Sequence, residues 1–205
     1  MAVLEPRIYL ASNSPRRREL LKQIGVNFEV LQFRAYPISD TDVSEDPLPD
    51  ETTVTYVERV CKAKAMAGWE RILERRLPKY AVLSADTTVC LDDKVIGKPQ
   101  NREHAMEILK KLSGKTHQVL TAVSVKFDSK LELKISETLV QFRPLEEMEL
   151  KNYIATGEPM DKAGAYAIQG RAASFIVSIN GSYSGVMGLP LYETAMLLRK
   201  FGYPL

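Results

Sequence analysis

Apolar and polar positions alternate along this chain with two periods, and reading them in order predicts a mixed succession of strands and helices. Ile8 to Ala11 is a short apolar run. It is followed by Ser14, a favoured N-cap, and Pro15, which fits a first helical position. Leu20, Leu21 and Ile24 make an apolar stripe and Gly25 a stop. The reading is strand, tight turn, helix. Asn27 to Val30 predicts a second strand, and the polar stretch Leu31 to Asp50, with Asp40, Asp42, Glu45 and Asp46, predicts a loop. Thr53 to Trp69 has helical spacing through Val54, Val57, Val60, Cys61, Ala65 and Gly68. Tyr80 to Ser84 reads as a strand that ends before Ala85-Asp86-Thr87-Thr88, and Val89 to Ile96 as a hairpin.

Further along, Asn101 to Leu112 predicts a helix with Ala105, Ile108, Leu109 and Leu112 inward and Ser113-Gly114 as its stop. Two long strands follow, His117 to Phe127 and Leu131 to Phe142. The second alternates as a half-exposed antiparallel strand does. Leu145 to Ala155 reads as a helix, Ser174 to Ile179 as a strand and Leu191 to Phe201 as a C-terminal helix, with a glycine-bounded loop, Gly157 to Gly170, in between. Strand–helix units mixed with a long antiparallel hairpin predict an α/β class, an extended mixed β-sheet flanked by helices. With no repeat and no clean linker, the 205 residues form one domain, or two small lobes around a cleft.

Charge narrows the function classes. Lys plus Arg number 28 against 26 for Asp plus Glu, so the chain lacks the basic excess of a general nucleic-acid binder and its positive charge must act locally. No apolar run approaches the length of a membrane span, and the N-terminus has no signal-like pattern, so a cytoplasmic protein is expected. Cys61 and Cys90 fit no metal-ligand spacing and read as small buried hydrophobes. His104 and His117 are likewise isolated.

Local charge is most unusual at Arg16-Arg17-Arg18, in the first turn of the first helix, where the macrodipole is already positive. Either these side chains are solvated, or an anion sits there, since free helix N–H groups plus guanidinium forks suit a phosphate. Ser12 and Ser14 add hydroxyls at the same turn. Asp86 after its apolar strand either caps a turn or faces a ligand or divalent ion. Lys98, between Gly97 and Pro99, is either a surface residue or a point charge for phosphate. Ser113-Gly114-Lys115-Thr116 is not a P-loop, because Leu109 stands where the first glycine is required. Asp161 to Gly170 packs small residues around Lys162 and Gln169, as a close backbone approach to a ligand or a tight crossing would require.

Six ordered motifs together resemble the Maf family of nucleoside triphosphate pyrophosphatases over nearly the whole chain. They are Leu10-Ala11-Ser12-Asn13-Ser14-Pro15-Arg16-Arg17, Ser84-Ala85-Asp86-Thr87, Gly97-Lys98-Pro99, Leu112 to His117, Asp161 to Gly170, and Gly188-Leu189-Pro190. The resemblance implies an enzyme that hydrolyses a nucleoside triphosphate between the α and β phosphates, giving a nucleoside monophosphate and pyrophosphate. It also implies a divalent cation (Mg, Mn or Co), a fold similar to the inosine triphosphate pyrophosphatases, and in many members a homodimer. Matching positions imply Asp86 as catalytic base or metal ligand, and Ser12, Arg16, Arg17, Lys64 and Lys98 at the phosphates. Arg16, Thr87 and Gln169 match the members that act on dTTP and UTP, whereas the 7-methyl-GTP group looks different at all three. One departure stands out: Pro37 falls where family members carry a second carboxylate, which makes Asp40 or Asp42 the expected replacement as a metal ligand. Two other readings remain open: a pyrophosphatase for non-standard purine triphosphates, and a non-catalytic nucleotide-binding regulator of cell division.

Overall fold

A computed structural model describes residues 6–31 and 43–205. Its centre is a seven-stranded mixed sheet in the order β2-β1-β3-β5-β6-β7, with β4 paired to part of β3. The strands are β1 (Ile8–Leu10), β2 (Phe28–Val30), β3 (Ala81–Leu91), β4 (Lys94–Ile96), β5 (Thr116–Phe127), β6 (Lys130–Phe142) and β7 (Ile176–Asn180). β1 runs parallel to both β2 and β3, and the remaining pairs are antiparallel. All three residues of β1 are buried, as expected of a parallel strand covered on both faces.

The helices are α1 (Pro15–Gln23), α2 (Thr53–Glu74), α3 (Arg102–Leu112), α4 (Glu147–Ala155), α5 (Tyr183–Met187) and α6 (Leu191–Lys200). Their starts follow the capping chemistry of the sequence. Ser14, Thr52 and Asn101 each accept a backbone N–H from the first turn of α1, α2 and α3. α2 covers one face of the sheet, with Trp69 and Ile72 against Tyr9 and Val82, and Val57 and Cys61 against Cys90, Leu120 and Ala122. Gly68 lets it lie close, since a Cβ there would stand 2.9 Å from Val82 Cγ1.

The opposite face is divided. α1 and α6 pack Leu20, Leu21, Leu197 and Leu198 on Leu83, Ala85, Val123 and Val125. α3 and α4 pack Ile108, Leu109, Leu112, Leu150 and Tyr153 on Val89, Val119, Val140 and Phe142. Between these two apolar clusters the same face of β3 and β5 carries the cross-strand pair Thr87 and Thr121. That polar seam is where the core opens.

The sheet also has a gap in its pairing. β1 follows β3 only as far as Leu10 opposite Leu83, and β4 joins the same edge only from Val89. From Ser84 to Thr88 that edge has no strand partner among the described residues. β3 itself is continuous through this region: the strand expected to stop before Asp86 runs eleven residues, and Asp86 sits at its middle, opposite Ala122 on β5. α2 likewise extends past Trp69 to Glu74, because Ile72 continues its buried stripe. Val54, expected to face inward, is exposed.

Candidate active site

The gap in the sheet opens into a cleft of about 980 Å³, at the upper end of the usual range for small-molecule sites. Ser12, Arg16, Arg17, Lys64, Asp86, Thr87, Lys98 and Gln169 all line it. Five separate segments therefore contribute: the β1–α1 turn, α2, β3, the loop after β4 and the loop before β7. Successive strand residues point to opposite sides of a sheet, so Asp86 turns toward α2 and Thr87 toward α1 and α5. Both reach the cleft because the edge between them is unpaired.

On the α2 side, the Lys64 ammonium lies between two carboxylates. It is 2.7 Å from Asp86 Oδ1 and 2.6 Å from Glu45 Oε1. Burial raises the Glu45 pKa, but the charge and hydrogen bond of Lys64, with Lys98 and Arg17 behind them, outweigh it and hold the carboxyl below its ordinary value. Tyr56 lines the same wall, and burial together with Asp86 and Glu45 pushes its phenol up to about 12. Asp40, Asp42 and Pro37 lie outside the described residues. The carboxylate that shares Lys64 with Asp86 is Glu45, three residues beyond Asp42, in a segment without helix or strand.

On the other side, the three arginines of α1 have three different roles. Arg17 is committed to the protein: Nε donates to Gly188 O at 2.8 Å, Nη1 to Ser12 Oγ at 3.1 Å and Nη2 to Thr87 Oγ1 at 3.3 Å. Burial pushes its pKa below the ordinary value and Asp86 opposes that shift. The guanidinium remains charged. Arg18 donates to Asn13 O at 2.7 Å and does not line the cleft. Arg16 lines the cleft, and its side chain has no hydrogen bond or ion pair among the described residues. The triplet is thus neither wholly solvated nor wholly a ligand cluster.

Thr87 is fixed from two directions, by Arg17 and by the Thr121 hydroxyl, which lies 3.0 Å from Thr87 Oγ1 and 2.8 Å from Gly185 O. Gly188 completes this arrangement. Its φ of 118° is one that side chains rarely adopt, and it turns a carbonyl toward Arg17. Sequence reasoning missed both α5, which supplies Gly185 and the turn at Gly188, and the buried Thr121.

The loop before β7 forms the far wall. Lys162 pairs with Asp161 and donates to Glu158 O at 3.3 Å. Burial raises the Asp161 pKa, while Lys162 and, more weakly, Arg16 pull it down to a net lowering. Gln169 and Lys98 are exposed, and their side chains have no hydrogen bond or ion pair among the described residues. Arg16, Lys98 and Gln169, uncommitted among the described residues, therefore stand around a fixed carboxylate–ammonium–carboxylate array.

Comparison with known proteins places the chain in context. A family model described as Maf-like protein matches residues 7–201. A protein from Aromatoleum aromaticum named dTTP/UTP pyrophosphatase is 57% identical over 100% of both chains. Proteins of the same name from Nitrosomonas europaea and Dechloromonas aromatica are 54% and 50% identical. They cover 95% and 96% of this chain and 94% and 98% of their own. Among solved structures, the Ham1 protein of Staphylococcus aureus aligns with a TM-score of 0.44 at 16% identity, covering 82% of this chain and 90% of that one.

Proposed function

The chain belongs to the Maf-like protein family, and from that premise we propose that it hydrolyses nucleoside triphosphates between the α and β phosphates, with dTTP and UTP preferred. The products are a nucleoside monophosphate and pyrophosphate. The observation that carries this reading is the Glu45–Lys64–Asp86 array, facing Arg16 and Lys98, which have no ion pair among the described residues, across one cleft. Fixed carboxylates beside such cations suit a polyanion that must be bound and then attacked by water.

The geometry supports a role for each residue. Arg16 and Lys98 neutralise the phosphate chain and the charge that develops on the leaving pyrophosphate, the main electrostatic task in phosphoryl transfer. Lys64 holds Asp86 by one oxygen, Oδ1. The other oxygen has no protein donor among the described residues, and there Asp86 orients the attacking water and accepts its proton. Arg17 contributes positive charge from below and holds Ser12 and Thr87 in place for the substrate. Thr87 and Gln169 read the base, the amide offering both a donor and an acceptor to a uracil or thymine edge.

A divalent cation fits the donor set. Glu45 and Asp86 already converge on one cationic atom, Lys64 Nζ. Magnesium-type sites use one or two carboxylates, with substrate phosphates and water supplying the rest. When bound, such an ion supplies Lewis-acid charge to the phosphoryl oxygens. No group of three or more His, Cys, Asp or Glu side chains stands together among the described residues, which suits an ion that arrives with the nucleotide. No helix of the described residues is long and apolar enough to cross a membrane.

Steady-state pyrophosphate release from a nucleotide panel with Mg²⁺ tests the reading. dTTP and UTP should be cleaved at least about tenfold better than CTP, ATP or GTP, the cost of leaving the Gln169 amide unpaired once a nucleotide covers it. Equal rates on dTTP and GTP would remove the base preference. Binding without turnover on every nucleotide would instead indicate a regulator.

A further inference from the structure

Glu45 stands in a segment with no helix or strand, yet its carboxylate is 2.6 Å from Lys64 Nζ. Irregular backbone does not hold a side chain by itself. Here three consecutive carbonyls around Glu45 are each taken by a donor from α2. Arg59 Nη1 donates to Ser44 O at 3.2 Å, Tyr56 Oη to Glu45 O at 2.8 Å, and Arg59 Nη2 to Asp46 O at 3.0 Å.

The same guanidinium forks onto Glu51, with Nε 2.7 Å from Oε1 and Nη2 2.8 Å from Oε2. Glu51 Oε2 in turn accepts the Leu48 N–H at 3.0 Å. The Glu51 side chain is only 8% exposed. Arg59 also lies 5.6 Å from the centroid of the Tyr56 ring. One side chain thus ties both ends of residues 44–51 to the helix that carries Lys64. Arg59 does not line the cleft and so does not touch a substrate there.

We propose that Arg59 is a positioning residue for the reaction: by clamping Ser44, Asp46 and Glu51 to α2, it fixes where the Glu45 carboxylate stands relative to Lys64 and Asp86. The proposal rests on the reading of Glu45 as a working carboxylate of the site. Lysine cannot replace Arg59, because an ammonium has no planar fork to satisfy Glu51 while also reaching two carbonyls.

The test compares Arg59→Met, Arg59→Lys, Glu45→Gln and the double variant Arg59→Met/Glu45→Gln as purified full-length proteins. UTP hydrolysis with Mg²⁺ is measured alongside amide hydrogen exchange. Arg59→Met should lower kcat/KM roughly ten- to hundredfold, as loss of a supporting partner does, and Arg59→Lys should behave like it. In the Glu45→Gln background the same change should cost less than about twofold, because the two act as one unit. Exchange over residues 44–51 should speed up about tenfold or more while the protected core of β3 and β5 stays unchanged. Equal losses of activity in both backgrounds, or unchanged exchange over 44–51, would overturn the proposal. If Glu45→Gln alone turns over UTP like the parent while Arg59→Met still loosens the segment, the reading of Glu45 has failed, and the coupling with it.

Discussion

Arg17 and Arg16 are adjacent in sequence and differ in what they are for. Arg17 fills its guanidinium with Gly188 O, Ser12 and Thr87, so Arg17→Ala should lose stability as well as activity. Leaving that carbonyl and those hydroxyls short of a donor should cost about 1 to 3 kcal/mol, read as a shift in the urea midpoint. Arg16→Ala should leave the midpoint unchanged while lowering kcat/KM by on the order of 10², the cost of a lost charge on the phosphates. Equal stability of the two variants would contradict the division of labour. His117 offers a pH test at the same scale. Burial holds its pKa down to about 4 from 6.5, and Nδ1 has no hydrogen-bond partner among the described residues. Above pH 6.5 the ring is neutral in both the folded and unfolded states and has no effect. As pH falls from 6.5 toward 4 the unfolded chain takes up a proton that the folded one refuses, so stability falls by about 3 kcal/mol. His117→Gln should remove this part of the loss between pH 7 and pH 4, and an identical pH profile for parent and variant would refute it.

Among the elements, α2 is the one whose placement matters most, since it carries Tyr56, Arg59 and Lys64 over β3. Gly68→Ala tests that placement. Alanine is the better helix former by about 1 kcal/mol, but its Cβ would meet Val82 Cγ1 at 2.9 Å and Ala11 Cβ at 3.3 Å. Overpacking should win, with a net loss of about 1 to 2 kcal/mol in thermal or urea unfolding; a stabilised variant would show that α2 can shift without cost. Most elements were legible from the chain, because caps such as Ser14 and Asn101 and stripes such as Ile108, Leu109 and Leu112 report local physics. The misses have physical causes. Asp86 and Thr87 look like part of a turn because their polarity is satisfied by Lys64, Arg17 and Thr121, partners distant in sequence. α5 is five residues long, too short for a periodic signal. Glu45 could not be singled out among neighbouring acids, because the tie that selects it runs through Arg59 and Tyr56.

For the molecule as a whole, the cleft opens where the outer edge of β3 has no strand partner among the described residues. The pairing of β1 with β3 ends opposite Leu83, that of β4 begins opposite Val89, and the two apolar clusters on one face part at Thr87 and Thr121. We propose that this interruption makes β3 the floor of a site that cleaves a triphosphate between its α and β phosphates, with Asp86 at the reacting water. The most direct measurement is product stoichiometry from UTP for the parent and Asp86→Asn, with UMP, pyrophosphate and inorganic phosphate quantified together. One pyrophosphate per UMP and no inorganic phosphate are expected, with kcat lowered by on the order of 10² or more in Asp86→Asn and nucleotide binding retained. UDP with inorganic phosphate from the parent, or an Asp86→Asn variant that releases pyrophosphate at the parent's rate, would contradict it.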